Sequence, residues 1–172
     1  YEKLTLFYLY RIKKIEFNKN TYLNSIISLN QNVILEAREK DKKKPNSIYS
    51  LHGIPIFLKD NINFNGLPTT AGAALLKDNI AEDSYVVKKL KESGGLILGK
   101  TNLSEWAYYF CVGCPLGYSA IGGQTLNPYG RKEFESGGSS SGSGVAISAN
   151  LSSVALGSET SGSILSPSSL NS

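Results

Sequence analysis

Residues 3–15 (KLTLFYLYRIKKI) place apolar and charged positions at helical spacing. The pattern predicts a helix with Leu4, Phe7 and Ile15 on one face and Arg11 and the lysines opposite. The run SIISL between Asn24 and Asn30 is short and β-branched, which suits an extended or buried segment. Val33 to Lys40 reads as a second helix, ended by Lys42-Lys43-Lys44 and Pro45.

The texture then changes. Ile54-Pro-Ile-Phe-Leu58 is an unbroken apolar run entered from Gly53, the pattern of a buried strand. Asn65-Gly66 and Pro68 mark a turn. Asp83-Ser84 opens a helix carrying Tyr85, Val86 and Leu90, and Ser93-Gly94-Gly95 closes it. Leu96-Ile-Leu98 is a second apolar strand. Asn102 and Glu105 have the spacing of a capping pair, predicting a helix over LSEWAYYF. Strand, helix and strand in alternation predict an α/β fold around a mixed, partly parallel sheet.

Serine and glycine dominate from Ser136 onward. A flexible linker has that composition. Yet Val145-Ala-Ile147 and Val154-Ala-Leu156 interrupt the tract, and a linker has no use for buried segments. Small residues around apolar runs suit close backbone approach inside a site.

With 41% hydrophobic and 19% charged residues, the 172-residue chain has a globular composition, and no apolar run is long enough to span a membrane. The net charge of +4 is mild. Its one tight cluster, Lys42 to Lys44, reads as a solvated loop, so no nucleic-acid partner is expected. The compartment is left open, with the cytoplasm favoured; the chain starts at Tyr1, which leaves a leader sequence undecided.

Three motifs invite other chemistry. Gly94-Gly-Leu-Ile-Leu-Gly99-Lys100-Thr101 fits the phosphate-loop pattern, but Leu96-Ile-Leu98 inside it is strand-like where a phosphate cradle needs a loop. Gly138-Ser-Ser-Ser-Gly142 fits the nucleophile elbow of α/β-hydrolases. That fold needs a histidine after the serine, and the single histidine, His52, precedes it. His52 therefore reads as a structural or rim residue. Cys111-Val-Gly-Cys114 follows an aromatic run at the end of the expected helix, and no second pair exists to complete a zinc site. It reads as two incidental thiols; no metal or cofactor is expected.

With histidine nearly absent, lysine is the available base. Burial can lower its pKa by several units from about 10.4. Lys59 ends the apolar run 54–58, where burial is plausible; an exposed strand-end lysine paired with a carboxylate such as Asp60 fits the local sequence equally well.

The wider pattern resembles the amidase signature family. Gly53-Ile-Pro-Ile-Phe-Leu-Lys59-Asp60-Asn61, Gly137-Gly-Ser-Ser-Ser-Gly-Ser-Gly144 and Gly157-Ser-Glu-Thr-Ser-Gly-Ser163-Ile164 carry the resemblance. Thr69-Thr-Ala-Gly72, Leu98-Gly-Lys-Thr-Asn-Leu-Ser-Glu-Trp106 and Gly123-Gln-Thr-Leu-Asn-Pro128 support it. The similarity covers nearly the whole chain in the family's order. It implies Lys59 as base, Ser139 as relay after a cis Gly138–Ser139 peptide, and Ser163 as nucleophile. It also implies an oxyanion hole from the N–H groups of Thr160, Ser161, Gly162 and Ser163, with Gly138 and Ser140 in support and Ser141 and Ser143 as further hydrogen bonders.

The expected reaction is hydrolysis of a small-molecule or peptide carboxamide. Glu159, Ser161 and Leu165 stand where many members carry aspartate, glycine and arginine. The form E-T-x-G-S-I resembles stand-alone amidases more than the tRNA-linked amidotransferase subunits, which remain the alternative, beside a nucleotide-binding or non-catalytic protein. Family members usually run several hundred residues. The chain is thus expected to be one partial domain, residues 1–45 a helical wrap and 46–172 part of the catalytic core, with sheet edges left unpaired.

Overall fold

A computed structural model describes every residue except Asn46, Tyr49, Val112 and Ser172. Four strands form the central sheet: β1 (Ile26–Leu29), β2 (Pro55–Lys59), β3 (Leu96–Thr101) and β6 (Val154–Leu156). Their order is β1-β3-β2-β6. β2 runs parallel to both β3 and β6, and β1 pairs antiparallel with β3, so the sheet is mixed. A small antiparallel ribbon of β4 (Tyr118–Ser119) and β5 (Gly123–Gln124) stands apart. Among the described residues there are five α-helices: α1 (Glu2–Glu16), α2 (Val33–Asp41), α3 (Tyr85–Glu92), α4 (Ser141–Ser148) and α5 (Leu165–Leu170).

The unbroken apolar runs of β2 and β3 follow from burial on both sheet faces. Side chains alternate across a strand. Phe57, Leu96 and Leu98 accordingly join Tyr8, Ile12, Val33, Ala37, Ala146 and Leu151 in one core. Ile56, Leu58 and Ile97 join Phe64, Leu67 and Val87 in another. Helices α1, α2 and α4 supply the first core, α3 and the loop after β2 the second.

Helix α1 turns differently from its expected face. Thr5, Tyr8 and Ile12 are buried, with Leu4 and Ile15 packed at the edge, while Phe7 is 47% exposed. The i, i+4, i+7 row through Tyr8, Ile12 and Ile15 meets the first core, and Phe7 lies one position round the helix, beside Arg11. The close of α3 follows expectation: Gly94 takes a φ of +90° and Gly95 N–H bonds Leu90 C=O at 2.9 Å, the left-handed exit that glycine permits.

The helix expected over LSEWAYYF does not form. Only a short 3₁₀ turn spans Glu105–Tyr108, and Trp106, Ala107 and Tyr108 all have positive φ. The expected cap pair is engaged elsewhere. Asn102 Nδ2 donates to the carbonyls of Asn24 and Gly123 (3.0 Å each), and its Oδ1 accepts from Ser119 at 2.7 Å. The Glu105 carboxylate accepts the Ala120 N–H at 2.7 Å. Tertiary demand on these two side chains overrides the local signal. Nor are Cys111 and Cys114 incidental thiols: they are joined in a disulfide.

Candidate active site

Lys59 is the last residue of β2 and has no exposed surface. Its ammonium donates to Ser139 Oγ at 2.7 Å and to the Ser158 carbonyl at 3.1 Å. Burial lowers its pKa from 10.5 to about 8. Of the two local readings, the exposed lysine paired with Asp60 fails. Asp60 pairs instead with Lys100, at 2.8 Å.

Ser139 follows a cis Gly138–Ser139 peptide in the turn that leads into α4. Gly138 is there for space, because a Cβ at this position would run into Ser104 Oγ. Ser140 ties two loops together. Its hydroxyl donates to Ser158 C=O at 3.1 Å and accepts Ser158 N–H at 3.2 Å, while its N–H donates to Ser163 C=O at 3.0 Å. Ser141 Oγ donates to Gly137 C=O, and Ser143 shares a 2.8 Å hydrogen bond with Thr101.

Ser163 lies in the loop between β6 and α5 and lines a cleft of about 780 Å³ with Gly138, Ser139, Thr160 and Ser161. Trp106, Tyr108, Tyr109 and Phe110 form the facing wall. Among the described residues, the Ser139 and Ser163 hydroxyls are not hydrogen-bonded to each other.

The turn 160–163 wraps the Glu159 carboxylate. That group accepts the Ile164 N–H at 2.6 Å and the Leu165 N–H at 2.9 Å. Hydrogen bonds from Leu165, Ile164 and Gly162 hold it below the usual carboxylate pKa. Gly162 N–H thus faces Glu159. The N–H groups of Thr160, Ser161 and Ser163 meet no protein acceptor among the described residues.

Other sequence candidates fall elsewhere. His52 precedes β2 at the end remote from Lys59, its ring 3.0 Å from the Lys40 carbonyl. Gly94 to Thr101 is a glycine turn and a strand, and Lys100 is buried against Asp60 and Thr69 (3.0 Å) rather than offered to a phosphate. Two site residues gave no sequence signal of their own. Ser158 accepts from Lys59 and Ser140 through its carbonyl, and Asn61 Nδ2 donates to Ser158 Oγ at 2.9 Å. Only their places in the motifs pointed toward them, Asn61 beside Lys59 and Ser158 in the stretch that ends at Ser163 and Ile164.

The amidase family profile matches residues 3–172. The chain belongs to the amidase family. It is 46% identical to a probable amidase of Arabidopsis thaliana over 99% of its own length, and 34% of that relative is covered. It is 41% identical to a glutamyl-tRNA(Gln) amidotransferase subunit of Sulfurisphaera tokodaii, over 94% of this chain and 32% of that one. The crystal structure of the peptide amidase from Stenotrophomonas maltophilia superposes with a TM-score of 0.93 at 44% identity, covering 99% of this amidase chain and 35% of the peptide amidase. This family member therefore spans about a third of the length of the relatives it matches. No helix among its described residues is long and apolar enough to cross a membrane.

Proposed function

We propose that this amidase chain carries the machinery that hydrolyses a carboxamide to an acid plus ammonia or an amine. The observation that carries the reading is Lys59: fully buried, in no ion pair among the described residues, and 2.7 Å from the Ser139 hydroxyl. A lysine held near pKa 8 has a substantial neutral fraction at neutral pH. Neutral Lys59 takes the Ser139 proton as Ser139 takes the proton of Ser163, once the Ser163 hydroxyl swings within reach. Ser163 Oγ attacks the amide carbon. The oxyanion forms toward the free N–H groups of Thr160, Ser161 and Ser163, with Gly162 shared with Glu159. The proton returns through Ser139 to the leaving nitrogen, the C–N bond breaks, and water hydrolyses the acyl-enzyme by the same path.

The aromatic wall opposite Ser139 supports an amide with an apolar acyl or amine part, small-molecule or peptide. Higher identity to the plant amidase and the peptide amidase than to the amidotransferase favours a stand-alone amidase over a tRNA-linked role. A nucleotide-binding reading is disfavoured by the burial of Lys100.

The deciding experiment is a fluorophosphonate probe on the full-length protein, with the modified residue mapped by mass spectrometry. Labelling at Ser163 that disappears in Lys59→Ala is the expected result. A folded protein that stays unlabelled overturns the reading.

A further inference from the structure

The segment 106–110 has two sides. One faces the catalytic cleft with Ser139 and Ser163. The other faces a smaller cavity of about 170 Å³, closed by Cys111, Cys114, Pro115 and Tyr118. Trp106, Tyr108 and Phe110 line both. The disulfide thus backs the aromatic wall of the cleft.

The segment cannot hold its shape alone. Trp106, Ala107 and Tyr108 sit at φ values of 53°, 54° and 72°, a region costly for residues with side chains unless the surroundings enforce it. On the N-terminal side the anchors are Trp106 N–H to Ala71 C=O (2.8 Å) and Glu105 to Ala120 N–H. On the C-terminal side Tyr108 OH donates to the Cys114 carbonyl at 2.9 Å, and the disulfide holds Cys114 beside Cys111, the residue after Phe110. Phe110 in turn meets Trp106 and Tyr109 edge to face, at centroid distances of 5.6 and 5.0 Å. Tyr109 and Phe110 are largely exposed, so burial does little to fix them.

Resting on the amidase reading, we propose that the Cys111–Cys114 disulfide is a specificity-determining clasp, which keeps the aromatic wall in place for amides bearing a planar apolar group and releases it on reduction. A dithiol supplies the two electrons. The S–S bond breaks, each sulfur gains a proton, and the dithiol leaves as its own disulfide. Selectivity then follows the redox state of the compartment. The Ser139–Lys59 hydrogen bond lies outside the loop, so small amides are unaffected.

The test compares two serine reagents on the full-length protein: phenylmethanesulfonyl fluoride, which presents a ring to the wall, and methanesulfonyl fluoride, which does not. The rates of Ser163 modification are measured on oxidised protein, on protein reduced with dithiothreitol and then freed of it, and on the Cys111→Ser/Cys114→Ser variant. The expected result is a phenyl-to-methyl rate ratio that falls about five- to tenfold on reduction or substitution, within the range an aromatic contact covers, with the methyl rate unchanged. An unchanged ratio overturns the clasp while leaving the amidase reading intact. A parallel fall of both rates also overturns it and makes the disulfide a general stabiliser. Should the variant not fold, the reduced wild type decides. Modification of Ser163 by neither reagent in the oxidised protein defeats the amidase reading itself, and the clasp with it.

Discussion

Two lysines lie at the same end of neighbouring strands, both without exposed surface, and they are put to opposite uses. The register between β2 and β3 shifts after Ile56: Ile56 pairs with Ile97, but Phe57 pairs with Gly99. The extra residue re-aims the end of β3. Lys59 and its partner Thr101 then reach the α4 side, toward Ser139 and Ser143, while Lys100 and Asp60 meet on the other side, beside Thr69 and Thr70. Burial pushes both lysines below their ordinary pKa. At Lys100 the Asp60 carboxylate works against that shift; at Lys59 no carboxylate does. The difference teaches how a sheet makes a base. Burial is common to both lysines; among the described residues Lys59 has no ion-pair partner, and that is what suits it to the proposed role of base.

The strongest way to break this comparison is to replace each lysine by methionine, which keeps the stem and removes the charge. Lys59→Met is expected to fold normally and lose about 10²–10⁴-fold in kcat/KM, the usual worth of a general base. Lys100→Met is expected to do the reverse. It strands a buried carboxylate, costing about 3–5 kcal/mol in denaturant unfolding, and any activity loss tracks the unfolded fraction. Adding Asp60→Leu to Lys100→Met should recover part of that stability. If the double variant is as unstable as the two single losses added together, the pair is not coupled and the contrast with Lys59 falls.

A milder perturbation is pH. With its pKa near 8, Lys59 is about one-tenth neutral at pH 7 and about nine-tenths at pH 9. Activity is expected to rise about tenfold across that interval as a single-proton curve. The stability sign runs the same way. Between pH 8 and 10.5 the unfolded chain binds more protons at this site than the folded one, so stability climbs with pH through that window and is flat below it. A kcat/KM profile level between pH 7 and 9 would remove Lys59 as the titrating base.

The strands and their end residues were legible because burial on both faces writes continuous apolar runs, as at Ile54–Leu58 and Leu96–Leu98. The family resemblance of three motifs singled out Lys59, Ser139, Ser140 and Ser163, and the fold sets Lys59 2.7 Å from Ser139 with Ser163 on the same cleft. What stayed hidden depends on partners distant in sequence. Whether Asp60 would pair with Lys59 or Lys100 turns on a one-residue register shift, which no local pattern records. Asn102 and Glu105 look like a helix cap until the ribbon at 118–124 takes both side chains. The aromatic run 106–110 reads as helix because the left-handed backbone at 106–108 is imposed from outside. The Cys111–Cys114 bond closes the far side of a wall that exists only once that helix has failed to form.

The smallest expected effect sharpens how Lys59 is aimed rather than how it is charged. The Ser158 carbonyl accepts from both Lys59 and Ser140, and Ser140 also receives the Ser158 N–H. Ser140→Ala removes two bonds that fix Ser158, one to its carbonyl and one from its N–H, and leaves the ammonium's own contacts in place. Each neutral hydrogen bond is worth about 1 kcal/mol. A several-fold fall in kcat, with KM and the pH midpoint nearly unchanged, is therefore expected. A shifted midpoint would mean that Ser140 governs the charge state of Lys59. A loss as large as that of Lys59→Met would promote Ser140 to relay in place of Ser139, because a residue that only steadies a carbonyl cannot cost as much as the group that carries the proton.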